Sequence, residues 1–374
     1  MKKLVWPLLI VFFLAGGLLA ILFGQVVLPP EPRPESVSAI SEKWTGSGHA
    51  DSESESFVHW DEDEPPLVPE NCAKCHSAYG YLDYLGEDGT EAQVVDAAAN
   101  IGSVVTCTVC HNPTANEKDS AVFPSGVEIH DLGMTANCAE CHQGRTSKAS
   151  VDNATNGLPE DEVNEELGFI NVHYKIAAAV RYGTEVQVGY EYPNKSYLGF
   201  YEHVEDFQQC TDCHDPHSLE ITASECAACH PTVSDLGDLR DIRVEETPDY
   251  DGDGDTTEGV FHELQTIHEM LYAAIQSYAT DFAGESILYA GQFPYWFIDT
   301  NGNGEADEGE IAFPNQYTSW TPRLVKAAYN YHMVIEDPGN FIHNAKYLIQ
   351  VMYDTLEDLS QVTTVDLSGL IRPQ

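Results

Sequence analysis

Five times in this chain a cysteine pair with two residues between its members is followed at once by histidine. The sets are Cys72, Cys75 and His76; Cys107, Cys110 and His111; Cys138, Cys141 and His142; Cys210, Cys213 and His214; and Cys226, Cys229 and His230. Two thiols three residues apart reach two vinyl groups of one porphyrin as thioethers, and the next residue then sets its imidazole on the iron. Zinc ribbons, a disulfide framework or redox dithiols are the other uses of such pairs. Zinc ribbons take pairs of pairs, and five is odd. All 10 cysteines are consumed by the motifs, and 15 histidines among 374 residues would not follow every pair by chance. The implied cofactor is therefore covalently bound haem c, in five copies.

Each iron then has a sixth position. The histidines outside the motifs are His49, His59, His130, His173, His203, His217, His262, His268, His332 and His343, more than five irons need. His217 lies too close to its own motif to reach round the same iron, but it can cap a neighbouring one. His203, just before Cys210, can do the same. His173 and His343 each open an apolar helical run, and His59 lies close to the first motif. These five, His59, His173, His203, His217 and His343, are the expected distal ligands. His49, His130 and His268 are held in reserve, and His332 reads as structural. Methionine ligation is disfavoured, because Met270, Met333 and Met352 sit on helical stretches whose apolar faces explain them.

Two acidic loops carry a different chemistry. Asp299, Asn301, Asn303, Glu305, Asp307 and Glu310 stand at the spacing of a calcium-binding loop, with Gly304 at the sharp turn. The flanks do not read as two matched helices, so a structural staple is expected and not a switch. Asp249, Asp251, Asp253 and Asp255 begin a second such loop. It has Val260 where the last ligand belongs, and Glu258 or Glu263 would have to reach in. One or two calcium ions are the expectation.

The elements that must position these residues are short in the front of the chain and longer behind. Thioether attachment holds a haem where little apolar core surrounds it, so residues 57–234 are expected as short helices and loops packed on haem. Within them, Val186–Tyr192, a Pro193-Asn194-Lys195 turn and Ser196–Tyr201 read as one β-hairpin with aromatic-rich strands. Residues 235–374 are expected to be haem-free and helical, with helices over 260–282, 321–335 and 341–359. Thr321 caps the second, Pro322 opens it, and Asp337-Pro338-Gly339 stops it.

The N-terminus has its own organisation. After Met1-Lys2-Lys3, no charged residue occurs from Leu4 to Gly24, long enough for the roughly 20 residues a bilayer crossing needs. Residues 1–28 therefore read as an uncleaved signal anchor, with a cleaved signal as the alternative, and the rest of the chain is placed outside the cytoplasmic membrane. Residues 29–56, rich in Pro, Ser and Glu, read as a poorly ordered tether. With 61 acidic and 17 basic residues the formal charge is −44. That excludes nucleic acid as a partner, since no basic stripe exists to neutralise phosphate.

Several phrases resemble a membrane-associated multihaem (polyhaem) c-type cytochrome family of respiratory and extracellular electron transfer. They are Cys138-Ala-Glu-Cys141-His142-Gln-Gly-Arg145, Asn171-Val-His173-Tyr174, Cys210-Thr-Asp-Cys213-His214-Asp-Pro-His217 and the tail from Ala327 to Leu359. The resemblance implies a mainly α multihaem cytochrome fold with extensive loops. It implies electron carriage between membrane redox complexes and periplasmic or extracellular acceptors, with redox proteins as partners. It also implies that His343 ligates and His332 does not, because the family tail has histidine at the first position and glutamine at the second. Two rival readings remain: a multihaem reductase with one open iron for nitrite, hydroxylamine or a sulfur oxyanion, and a subunit of a cytochrome filament. The acidic surface would repel anionic substrates. The expected cations near the motifs are Arg145, Lys148, Lys175 and Arg181.

Overall fold

A computed structural model of the chain describes residues 35–205, 207–244 and 247–374. The apolar run Leu4–Gly24 lies outside the described residues. Among those described, no helix is long and apolar enough to cross a membrane. The chain divides into two compact units, 1–42 and 43–374. Of the expected tether, the described part contains a helix, Val37–Thr45, and a second short one begins at Glu55.

The front of the larger unit is built from helical turns of three to eight residues joined by loops. Each motif occupies one of them. The first lies in the helix Glu70–His76, the second in Cys107–Cys110 and the third in Thr135–Cys141. The fourth begins a 3₁₀ turn at Cys210–Asp212, and the fifth starts at the end of the helix Ala223–Cys226. The local reason is a single hydrogen bond. The histidine N–H donates to the carbonyl of the first cysteine at 2.8 Å for His111, 3.0 Å for His142 and 2.9 Å for His214 and His230. That closes one turn and brings residues i and i+3 to the same side.

Behind the motifs the chain makes three longer helices, Val260–Tyr278, Pro322–Ile335 and Ala345–Leu359. Their apolar faces meet through Leu264, Ile267, Leu271 and Ile275, through Leu324 and Ala328, and through Leu348, Met352 and Leu356, all buried. Each such side chain contributes about 1.5–3 kcal/mol when fully removed from water. Thr321 caps the middle helix, its hydroxyl accepting the Leu324 N–H at 3.2 Å, with Pro322 at the first turn. The last expected helix is broken in two. Asn340–His343 ends at Asn344, whose extended backbone (φ −168°) interrupts the helix while its side chain caps the Tyr347 N–H at 3.3 Å.

The expected hairpin over residues 186–201 is not a pair of strands. Its backbone groups are taken by side chains of the helices beneath. The Gly189 N–H donates to the Tyr347 hydroxyl (3.0 Å), the Tyr190 N–H to Asn330 Oδ1 (2.7 Å) and the Leu198 N–H to Gln350 Oε1 (2.8 Å). Gln187, within the first expected strand, also adopts positive φ, which a strand does not allow. The segment is thus an extended loop laid on helices. The described strands lie elsewhere and pair two by two: Leu67–Val68 with Ala99–Asn100, Ala121–Val122 with Glu128–Ile129, and Ile287–Tyr289 with Trp296–Ile298.

One apolar core passes through the boundary expected near residue 235. Val172, Ile176, Val180, Val186 and Val188 from the front pack into the same cluster as Leu271, Ile275 and Leu348 from the back. The remaining front clusters are small, such as Tyr81, Tyr84, Leu85 and Val109.

Candidate haem sites

Four of the five motif histidines face a second histidine ring. The ring centres of His76 and His173 are 5.9 Å apart, those of His111 and His217 6.2 Å, those of His142 and His49 6.3 Å, and those of His230 and His203 6.3 Å. Two imidazoles on opposite sides of one metal ion need about 6 Å between centres, from a metal–nitrogen bond of about 2 Å and a ring radius of about 1 Å on each side. The donor set therefore fits a metal held between two imidazoles. Of the sequence-selected residues, His173, His203 and His217 stand opposite motif histidines. His59 does not: its ring is mostly exposed, pairs with Glu55 (2.7 Å) and packs edge-on against Trp60. The place opposite His142 is taken by His49.

His49 is positioned by contacts that no local pattern announces. Its carbonyl accepts the Val105 N–H at 3.1 Å, and the Trp44 indole donates to the Val105 carbonyl at 2.9 Å. The segment before the first motif is thereby pinned to the segment before the second, and its histidine is delivered to the third. His173 comes from a loop and not from a helix start. It sits at φ +79°, an unusual conformation for a residue with a Cβ, and the Asn171 side chain accepts its N–H at 2.7 Å. Gly144 makes room for that loop. At φ +76°, a Cβ on Gly144 would lie 2.6 Å from the Val172 carbonyl. His217 is set by the Asp215 carboxylate, which accepts the His217 N–H (3.0 Å) and the Ser218 N–H (2.9 Å).

The tautomers are arranged for binding through Nε2. Nδ1 donates to a carbonyl from His76 (Ser56, 2.8 Å), His142 (Lys175, 3.1 Å) and His214 (Leu219, 3.3 Å). A ring nitrogen engaged in this way leaves the other free and fixes the ring's direction, the usual second-shell arrangement of a metal-bound histidine. Burial pushes His49 and His173 down to about 4, so both are neutral imidazoles at pH 7.

Among the described residues, His214 has no histidine ring stacked opposite at comparable range. The residue poised for that role is His343. Its Nδ1 donates to Asp337 at 2.7 Å, again leaving Nε2, and the Cys210 sulfur is close enough to act on its ionisation. Burial pulls the His343 imidazole down, Asp337 pulls it up, and the net shift is upward. His332 is excluded from ligation by its partners. Its Nε2 meets Asn171 Oδ1 (3.0 Å) and its Nδ1 meets the Tyr289 hydroxyl (3.2 Å), so neither nitrogen is left. His268 stacks on Tyr331 at 4.0 Å with Nε2 on the Tyr331 carbonyl, and His262 bonds Asp241.

The motifs interlock. The sulfurs of Cys75 and Cys141 lie close together, as do those of Cys138 and Cys210, so the third motif neighbours both the first and the fourth. Glu140, between the two cysteines of the third motif, is fully buried. Lys74 (3.0 Å) and Lys118 (2.8 Å) neutralise it, and the Tyr84 hydroxyl donates to it at 3.2 Å. Lys74 lies inside the first motif, so this clamp fastens one motif-bearing turn to another. Nothing in the local sequence marks Glu140 and Asp337 for these roles, since a carboxylate's burial and partners are not visible locally.

The chain is 26% identical over 338 residues to the C-type polyheme cytochrome OmcB of Geobacter sulfurreducens, in both strain DL-1 / KN400 and strain ATCC 51573 / DSM 12127 / PCA. The match covers 77% of this chain and 43% of that protein. The chain is thus similar to multihaem c-type cytochromes. It is also 26% identical over 322 residues to the C-type polyheme cytochrome OmcC of the latter strain, covering 76% of this chain and 36% of that one. It thus spans less than half the length of these curated relatives. No family model and no solved structure matches it. The similarity agrees with the haem c attachment that the five Cys-x-x-Cys-His motifs imply.

Proposed function

We propose that the cytochrome binds five haems, each between two histidines, and carries electrons outside the cytoplasmic membrane between membrane redox complexes and periplasmic or extracellular acceptors. The histidine pairs are His76 with His173, His111 with His217, His142 with His49, His214 with His343, and His230 with His203. The carrying observation is the set of four ring pairs at 5.9–6.3 Å. Bound haem supplies the redox couple, and the chain's residues place it and tune it. Two imidazoles per iron and a formal charge of −44 both favour ferric iron, which sets the potentials low. The interlocked third motif supports passage of electrons from the first motif to the fourth. The uncharged run from Leu4 to Gly24 supports an anchor and an exported body.

A second reading is favoured by one observation, the lack of a stacked histidine opposite His214 among the described residues. If that position is open, the cytochrome is a reductase. Arg181, whose charge acts on Cys210 and Cys213, would then be placed to attract an anion. Low-temperature EPR of the oxidised protein, quantified against haem content, separates the two. Carriage requires five low-spin ferric signals, with His343→Ala converting one to high spin and His59→Ala converting none. One high-spin haem in the native protein that shifts with nitrite or hydroxylamine, and that His343→Ala leaves unchanged, would establish the reductase instead.

A further inference from the structure

The two acidic loops hold buried oxygen atoms with nothing to bind. In the first, carboxylate oxygens of Asp249, Asp251 and Asp253 lie within 4.8 Å of one another. The loop's own N–H groups use only part of their capacity. Gly252 and Gly254 donate to the two oxygens of Asp249 (2.7 and 2.9 Å), and Asp253 donates to Asp251 Oδ1 (3.2 Å). Asp251 is only 6% exposed, and its Oδ2 has no partner. Glu258 Oε1 is buried beside this group and also has none. A carboxylate oxygen taken out of water without a donor is strongly unfavourable, and facing carboxylates repel. Arg243, whose charge reaches Asp249, does not resolve this. Its guanidinium is engaged by Glu263 and by the carbonyls of Glu258 (2.9 Å), Thr247 (3.2 Å) and Pro248 (2.8 Å).

The second loop shows the same imbalance. Asp299 accepts the Gly302 and Gly304 N–H groups (2.7 and 2.8 Å), and Asn301 and Asn303 each accept an N–H two residues on (2.9 and 2.8 Å). Glu310, 5% exposed, closes the loop. Its Oε1 accepts the Thr300 N–H and hydroxyl (2.7 and 2.6 Å), while Oε2 is buried without a partner. Both donor sets are oxygen only, with no thiol or imidazole, which suits a hard cation with many ligands and flexible geometry.

We propose that each loop binds one calcium ion, the first through Asp249, Asp251, Asp253, Glu258 and the Asp255 carbonyl, the second through Asp299, Asn301, Asn303, Asp307, Glu310 and the Glu305 carbonyl. Glu258 closes the first site and Glu263 does not, because the Glu263 carboxylate is already spent on Arg243 and the Tyr250 N–H. The two ions staple one helix at separate points. The first loop meets Val260–Tyr278 through Glu263 and meets the C-terminal residues through the Ile371 N–H on the Tyr250 carbonyl (2.9 Å). The second meets it further along, where the Gly304 carbonyl accepts from Tyr272 (3.2 Å) and Gln276 (2.8 Å). The ions thus fasten the helix on which the C-terminal core is assembled.

The test is calorimetric titration of calcium chloride into the holoprotein, freed of divalent ions by chelation and dialysis, at physiological salt and with magnesium as a control. Two ions per chain are expected, each with a dissociation constant below about 10⁻³ M. The melting midpoint should rise with calcium and not with equal magnesium. Asp251→Asn and Glu310→Gln should each remove one site, with the haem absorption spectrum unchanged as proof of folding. Folded holoprotein that binds no calcium, or that binds two ions in both variants, overturns the proposal. A single ion lost only in Glu310→Gln overturns the first site alone, and one lost only in Asp251→Asn overturns the second alone.

Discussion

The two ends of the larger unit reach stability by different physical routes. Around Val260–Tyr278 and Ala345–Leu359, large apolar side chains are removed from water almost completely, and the helices would hold together with nothing bound. Around the motifs from Cys72 to His230, the turns are too short to persist alone, since isolated helices below about 12–15 residues are marginal in water. What joins them is a buried Glu140 between two lysines, histidine rings spaced for a metal, and an edge of the apolar core that reaches only the third motif, through Ala136 and Ala139. The difference teaches that a chain can spend its hydrophobic residues in one region and leave another to its cofactors. It also shows where the regions meet: Val172, Ile176 and Val180 belong to the apolar core, yet the same stretch carries His173 toward the first motif.

The largest expected effect comes from withholding haem. A chain made without haem attachment should exchange its amide hydrogens at least about tenfold faster across residues 57–234 than across 260–278 and 345–359, measured by mass spectrometry. Equal protection in the two regions would break the contrast.

Next come paired substitutions that strike one region each. Glu140→Ala leaves Lys74 and Lys118 without their buried partner and should cost about 3–5 kcal/mol, with the haem spectrum disturbed. Leu271→Ala opens a cavity in the helical core and should cost about 2–5 kcal/mol, with the haem spectrum intact. Denaturant unfolding followed by haem absorbance and by circular dichroism checks both. A Glu140 variant as stable as the parent would show that the polar clamp holds nothing.

The smallest effect is a pH dependence carried by one ion pair of the helical end. Arg323 holds the Asp161 carboxyl below the usual carboxylate range by hydrogen bonding, outweighing partial burial. A depressed folded value means the stabilisation is present above the unfolded value near 4 and is lost as pH falls through the folded one. Stability should therefore decline on acidification below about pH 4, and Asp161→Asn should flatten that part of the profile in thermal melts. A profile identical to the parent's would remove this pair from the account.

Much of the site was legible from residue order, because thioether chemistry demands a fixed local spacing and one closing hydrogen bond then shapes the turn. The three long helices were legible for a similar reason: periodic Leu, Ile and Met residues declare a face, and Thr321, Pro322 and the Asp337–Gly339 stop mark ends. The hairpin over 186–201 was misread since its aromatic alternation is satisfied by helix side chains instead of a neighbouring strand. His59 was chosen over His49 on nearness in sequence, but nearness along the chain says nothing about which histidine a loop delivers across space.

By itself the sequence determined where the Cys-x-x-Cys-His motifs stand, how many there are and where the amphipathic helices lie, all of them short-range properties of bonded geometry and periodicity. Tertiary structure alone decided which histidine faces which motif, that Glu140 and Asp337 are buried partners, and that Glu263 is engaged by Arg243 while a Glu258 oxygen is left buried without a partner. Those depend on long-range burial, where removal from water turns an ordinary carboxylate or imidazole into one that must find a specific partner.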